Sequence, residues 1–436
     1  MVTGSCYFLT GEKTGIMVDY GMFQGKTEES GLNSVKPDID FDQLTAVIVT
    51  HAHLDHCGRL PLLLRYGFRG PIFMTEATKA LTELVLYDSA KLAKEEESRV
   101  VLYTDDDVEQ VLKQVQLVEY DKPFMVGEFE VTFLDAGHIL GSASVTVRDT
   151  KTGKTVAFSG DLGNTPEPLL SPTHWVKEAD VAVMESTYGD ETHEPRDEAE
   201  ELALIVSQAE KENGTVMIPS FSLQRSQELL YIFDQLKKQK KMKEETPVFL
   251  DSPMAIKATQ VFRDFPELYN RKLQTQAKTD DPFDFPSLVL CDTIEKSRQI
   301  KNLIGPKVIV AGSGMMNGGR IIHHVISFLG DPKTQLVFVG FQAEGTLGRS
   351  IKDGLDKVNI WGNVVEIKAQ IREIKTMSSH ADQVQLVNWL SKIEGLSTVI
   401  LTHGEELPRL VLAEKVRNEL PGVKVEMPML HDQIEL

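Results

Sequence analysis

The 436-residue chain reads as an α/β protein in which a second α/β unit interrupts the first. Three observations predict this. Through residues 1–185, short apolar runs alternate with polar or helical connections, and several runs end in His or Asp. Between residue 190 and about residue 347 the pattern becomes a regular exchange of strands and helices, the mark of a parallel sheet. Candidate metal-binding residues lie before about residue 190 or after about residue 375. The middle stretch is therefore an insertion, with expected segments 1–189, 190–350 and 351–436.

The elements follow in order. Residues 46–49, Ala-Val-Ile-Val, form an apolar run suited to a buried strand. Directly behind it, Thr50-His51-Ala52-His53-Leu54-Asp55-His56-Cys57-Gly58 places three of the chain's 11 histidines and a carboxylate within six positions. An amphipathic helix is expected over residues 75–98, and another behind Thr104-Asp105-Asp106-Asp107, whose acidic start complements a helix N-terminus. Strands over 131–134 and 155–158 run into Asp135-Ala136-Gly137-His138 and Ser159-Gly160-Asp161. Inside the insertion, a helix near 198–213, a strand at 215–218, a helix after Ser222 and strands at 247–250, 307–311 and 335–340 alternate, with a loop at 278–286. A last strand at 398–401 leads into Thr402-His403-Gly404.

Imidazole and carboxylate together are what Zn²⁺ and similar ions bind. Alternate residues leaving a strand end, then an adjacent Asp-His pair, suit two neighbouring ions. A loop rich in histidine by chance is the bland alternative. A lone strand-end His, such as His138 or His403, is more often structural; beside the first motif, each becomes a candidate to complete the centre. Glycines next to His138, Asp161 and His403 allow the sharp turns a chain around an ion needs. Cys57 borders the motif and is a lesser candidate for a ligand.

Composition narrows the class. Charged residues at 25% and apolar residues at 41% describe a globular chain. No apolar run reaches the roughly 18–20 residues that span a bilayer. The first residues lack a basic start and apolar core, so no signal peptide is expected and the cytoplasm is the expected location. Cys6, Cys57 and Cys291 are too few and scattered for a disulfide framework. The net charge of −19 argues against a nucleic-acid partner at face value, although two zinc ions would add about +4 in a narrow cleft and invert the local field. The run Lys237-Lys238-Gln239-Lys240-Lys241-Met242-Lys243 is either a nucleic-acid patch or the solvated, dipole-complementing end of a helix, and the second reading is preferred.

In its motifs the chain resembles the metallo-β-lactamase fold, in the nucleic-acid-processing β-CASP branch. Asp19 in Val18-Asp19-Tyr20-Gly21, the segment from His51 to His56, His138 and Asp161 match the fold's four motifs in order. Glu185 in Met184-Glu185-Ser186-Thr187-Tyr188-Gly189, His380 in Met377-Ser378-Ser379-His380-Ala381-Asp382, and His403 resemble the branch motifs A, B and C. The resemblance implies an αββα sandwich with an inserted parallel α/β β-CASP domain. It also implies two Zn²⁺, one held by His51, His53 and His138, the other by Asp55, His56 and His403, with Asp161 bridging. Asp19 would orient a ligating His from behind. Asp55, Glu185 and His380 would be catalytic, His380 as general acid held by Glu185.

Motif C separates substrates within the branch, and a histidine there implies RNA. The stretches 251–255, 312–320 and 340–349 resemble the inserted domain of the cleavage-and-polyadenylation endonuclease type and its prokaryotic relatives. The implied activity is a zinc-dependent endoribonuclease on single-stranded RNA, in which a metal-bridging hydroxide leaves 3′-hydroxyl and 5′-phosphate ends. Arg225, Arg320, Arg349 and Ser378 are expected phosphate contacts, although Phe221-Ser222-Leu223-Gln224-Arg225 departs from the small, glycine-containing stretch of relatives. A homodimer is a further implication. The alternatives are a 5′ to 3′ exoribonuclease, a small-substrate metallo-hydrolase, and a non-catalytic scaffold of an RNA-processing complex.

Overall fold

A computed structural model describes residues 3–24, 31–95, 100–193, 197–343, 345–374 and 377–436. The end of the helix expected over 75–98 falls outside them, as do Val2 and Glu344. The chain divides into two compact units, residues 1–192 with 380–436, and residues 193–379.

The first unit is an αββα sandwich. Strands β1 (Tyr7–Thr10), β2 (Gly15–Val18), β3 (Leu44–Ile48), β4 (Ile72–Met74) and β5 (Val115–Leu117) form one sheet in that order. The second sheet begins with β6 (Phe124–Val126), β7 (Phe129–Asp135), β8 (Ala143–Asp149), β9 (Thr155–Phe158) and β10 (Val181–Met184). Period-two alternation sorts the side chains between two cores. Val156, Phe158, Val181 and Val183 meet Ile16, Val18, Ala46 and Ile48 of the first sheet. Ala157, Ala182 and Met184, one residue out of phase, face Leu386, Trp389, Leu390, Leu412 and Val416, which lie on helices Gln383–Ser391 and Glu406–Glu419. Helices Leu60–Arg65, Glu76–Glu95 and Asp105–Leu112 pack together after the first sheet's strands. Thr104 and Asp107 cap the last of them reciprocally, as the acidic start predicts.

The inserted unit holds β11 (Thr215–Pro219), β12 (Val248–Asp251), β13 (Leu288–Leu290), β14 (Lys307–Ala311), β15 (Gln335–Phe338), a hairpin of β16 (Lys357–Ile360) and β17 (Asn363–Glu366), and β18 (Gln370–Glu373). Its sheet is parallel, in the order β13-β12-β14-β11-β15-β18. By contacts, the compact inserted unit runs on past residue 351. β18 pairs with β15, and Val358, Ile360 and Ala369 belong to the inserted unit's core, so the division falls at Ser379/His380. The chain then adds β19 (Thr398–Leu401) beside β10 and β20 (Lys424–Glu426) beyond it. No helix among the described residues is long and apolar enough to cross a membrane.

The lysine run ends the helix Arg225–Lys238 and folds back into the protein. Lys237 Nζ donates to the carbonyls of Lys243, Glu244 and Thr246 at 3.2, 2.9 and 2.9 Å. Lys238 is paired with Asp234 and Asp280, and Lys241 with Glu200. These are the contacts of a helix terminus, in line with the preferred reading.

Candidate metal centre

Topology gathers the candidate residues. β2 and β3 are parallel; β7, β9, β10 and β19 share one direction, because β8 is antiparallel to both β7 and β9. The residues that follow Val18, Ile48, Asp135, Phe158, Met184 and Leu401 are therefore delivered from strand C-terminal ends. The turns are tight. Gly137 and Gly160 stand at φ +65° and +57° immediately before His138 and Asp161, the backbone freedom anticipated for those glycines. Asp19 and His403 adopt left-handed backbones themselves, at φ 58° and 44°, conformations that cost energy in non-glycine residues and cluster at functional sites.

Two donor sets result. His51, His53, His138 and Asp161 bring one ligand atom each to a common point, as do Asp55, His56 and His403. In the first set, His53 Nδ1 lies 3.2 Å from both His51 Nε2 and His138 Nε2. Asp161 Oδ2 lies 3.4 Å from His51 Nε2 and 3.6 Å from His138 Nε2. In the second, His403 Nε2 is 3.2 Å from His56 Nε2 and 3.3 Å from Asp55 Oδ2, while Asp161 Oδ1 faces His56 Nε2 at 3.3 Å and His403 Nε2 at 3.6 Å. Four N/O donors about 2.0–2.1 Å from a tetrahedral ion stand roughly 3.3–3.4 Å apart, so the spacing fits. Asp161 offers one oxygen to each set, and its Oδ1 is buried without a hydrogen-bond donor. A lone buried carboxylate oxygen would be costly; a cation between the rings removes that cost.

Two of the imidazoles are prepared for it, whereas for His56 burial is outweighed by Asp161 and Asp19, which hold it well above the ordinary histidine range. Burial lowers the pKa of His51 to about 3 and of His53 to about 4, which keeps their lone pairs available. Ring orientation comes from behind. Asp19, fully buried, accepts the Thr50 N–H through Oδ1 at 2.8 Å. Its Oδ2 lies 2.7 Å from His56 Nδ1 and accepts the Thr50 hydroxyl at 2.8 Å. Thr50 Oγ1 in turn stands 3.0 Å from His51 Nδ1. One carboxylate thus contacts a ring of the second donor set directly and one of the first through Thr50. Thr187 Oγ1 meets His403 Nδ1 at 3.2 Å. These contacts select the Nδ1–H tautomer and turn Nε2 toward the ion.

His380 stands beside the centre, its ring centroid 4.6 Å from that of His138 and 6.0 Å from that of His403. Glu185, buried, holds His380 Nδ1 at 2.9 Å and accepts the Leu162 N–H at 2.7 Å. Burial opposes protonation of His380, but the Glu185 carboxylate outweighs it and lifts the pKa to about 9.

The four expected phosphate contacts lie in the inserted unit, and its own groups engage the arginines. Arg225, 5% exposed, is paired with Glu228 and donates to Ser379 Oγ at 2.8 Å. Arg320 donates to Asp251 Oδ1, the Cys291 carbonyl and the Asp292 carbonyl at 2.7, 2.6 and 3.2 Å. Arg349 Nε donates to both Asp353 oxygens at 3.0 Å. Ser378 is buried.

An αββα sandwich that carries two donor sets and a shared carboxylate on its strand ends defines a class, the metal-dependent hydrolases of metallo-β-lactamase type. Comparison with known proteins agrees. Residues 2–205 match the metallo-beta-lactamase superfamily, residues 226–351 the Beta-Casp domain, and residues 364–428 the Zn-dependent metallo-hydrolase RNA specificity domain. The chain is 37% identical to "Ribonuclease TTHA0252" of Thermus thermophilus over 95% of its own length and 93% of that protein's. It is 31% identical to "Transcription termination factor FttA" of Methanocaldococcus jannaschii, over 99% of this chain and 69% of that one. With the protein of that name from Pyrococcus horikoshii the identity is 32%, over 90% and 62%. The chain belongs to the metallo-β-lactamase superfamily, in its β-CASP branch, and is a metal-dependent hydrolase.

Proposed function

We propose that the protein is a zinc-dependent endoribonuclease that cuts phosphodiester bonds within single-stranded RNA, leaving 3′-hydroxyl and 5′-phosphate ends, and that it works in RNA processing or decay in the cytoplasm. The observation that carries this reading is a pair of donor sets joined by Asp161, with His380, held by Glu185, beside them. It is supported by the RNA specificity domain matched over residues 364–428 and by the similarity to a ribonuclease. The three free cysteines suit a reducing compartment.

His51, His53 and His138 would hold one zinc, Asp55, His56 and His403 the other, and Asp161 would bridge them. When bound, the ions supply Lewis acidity: they activate water near neutral pH and offset charge developing on the phosphate. The protein supplies the rest. Asp19, Thr50 and Thr187 fix the rings. Glu185 holds His380 by Nδ1, so the imidazolium delivers its proton from Nε2 to the leaving 3′-oxygen as the P–O3′ bond breaks. Attack by water needs no 2′-hydroxyl, so preference for RNA resides in binding rather than chemistry.

The test is cleavage of an end-labelled single-stranded RNA, beside DNA of equal length, by the zinc-loaded protein, by His380→Ala and after chelation. Internal RNA fragments from the loaded protein, lost on chelation and slowed about 10²–10⁴-fold by His380→Ala, are expected. Intact RNA with stoichiometric zinc bound would overturn the reading, and mononucleotides released from one end would replace endonuclease with exonuclease.

A further inference from the structure

The inserted unit presents an indole that the metal centre does not explain. Trp361 sits at the tip of the β16–β17 hairpin and is 64% exposed. Val358 and Ile360, one strand back, turn into the core, so the hairpin is anchored while its tip stands in solvent. Trp361 and Gly362 both have positive φ, 52° and 81°, the two-residue turn that normally favours Asn-Gly. A tryptophan at the first position is unfavourable for folding alone, which points to a use for the side chain.

Its neighbours have a definite chemistry. The His323 ring stands 5.0 Å from the Trp361 ring at 59°. Burial lowers the pKa of His323, with smaller contributions from His324 and the Arg298 charge; Arg298 is exposed and makes no ion pair or hydrogen bond among the described residues. Arg320 adds a second cation next to His323, already balanced by Asp251. In a chain of net charge −19, an exposed indole paired with His323, whose ring feels the unpaired Arg298 charge, is complementary to a flat, apolar group that carries an anion. A nucleobase and its phosphate have that form: bases stack on aromatic faces, and Arg pairs with phosphate.

We infer that Trp361, His323 and Arg298 form an accessory contact for single-stranded RNA, with one unpaired base on the indole and its phosphate at Arg298. The inference rests on the RNA reading above and adds a site of its own within the inserted unit. The experiment uses zinc-loaded full-length protein in a His380→Ala background, so that a labelled short oligoribonucleotide stays intact during titration. Trp361→Ala is expected to weaken binding roughly 5- to 100-fold, Trp361→Phe to retain most of the affinity, and Arg298→Ala to weaken it several-fold. In the otherwise wild-type enzyme, the same changes are expected to leave turnover of bis(p-nitrophenyl) phosphate, too small to engage a second site, unaltered. Equal RNA affinity for Trp361→Ala and its parent would overturn the inference while wild-type RNA cleavage leaves the proposed activity standing. A fall in sedimenting mass of Trp361→Ala without change in affinity would overturn it in favour of a protein contact. A wild type that neither binds nor cuts RNA would remove both readings together.

Discussion

At the scale of single residues, the centre depends on hydroxyls as much as on ligands. His403 reaches the second donor set from a left-handed turn and is steered by Thr187, 216 positions earlier in the chain. Replacing Thr187 by Val keeps the shape and removes the acceptor for His403 Nδ1–H, so the ring loses its tautomer preference. The expected outcome is about 10- to 100-fold weaker binding of one of two zinc ions, with the other unaffected, read by competition with a chromogenic chelator. Equal loss at both ions, or at neither, would refute a role specific to His403. The histidines of the donor sets were legible in sequence because a ligand type directly behind an apolar run has few structural uses, and Asp19 through the resemblance to the family's first motif. Thr50 and Thr187 were not: threonine is common, and only the approach of distant strands gives these two a ring to hold.

At the scale of elements, the inserted sheet contains a polar knot of comparable order. Asp251, fully buried at the end of β12, accepts from Ser297 Oγ at 2.5 Å, His324 Nε2 at 2.7 Å and Arg320 Nη1 at 2.7 Å. It thereby ties together three segments beyond the strand: the helices Ile294–Gln299 and Ile321–Phe328, and the glycine-rich stretch that ends at Arg320. Removing one partner of a buried charged pair leaves the other uncompensated and costs about 3–5 kcal/mol. Asp251→Ala is therefore expected to unfold the inserted unit at lower denaturant concentration by that amount, followed by circular dichroism, with zinc stoichiometry unchanged because the donor sets lie in the other unit. A loss below about 1 kcal/mol would mean that the knot is solvated. The pairing of Arg320 with Asp251 was not legible in sequence, because the partner stands 69 positions away, beyond any local pattern. Short strands were hidden for a related reason. β13 and β18 have only three and four residues and carry no clear alternation, so the sheet was legible in its buried middle strands and its edges were not.

For the whole molecule, charge sets the terms on which RNA is met. A typical nucleic-acid-binding protein with six to ten phosphate contacts loses roughly 10³–10⁵ in affinity between 50 and 200 mM salt, because binding releases condensed counterions. This chain carries 65 acidic and 46 basic residues, and Arg225, Arg320 and Arg349 are committed to carboxylates of the protein. Those three guanidiniums are taken up by the protein itself, and the net negative field repels the polyanion at a distance. Salt acts on these two terms in opposite directions: it weakens the local contacts and screens the repulsion, which at about 0.1 M extends only some 10 Å. The balance is a shallow dependence. RNA affinity of the zinc-loaded protein is expected to change by less than about tenfold between 50 and 200 mM salt, measured by fluorescence anisotropy. A fall of 10³ or more would require a continuous basic track that the pairing of these arginines does not provide. Recognition with so little electrostatic gain has to come from the ions in the centre and from stacking on exposed rings, which is where Trp361 enters the account of the whole molecule.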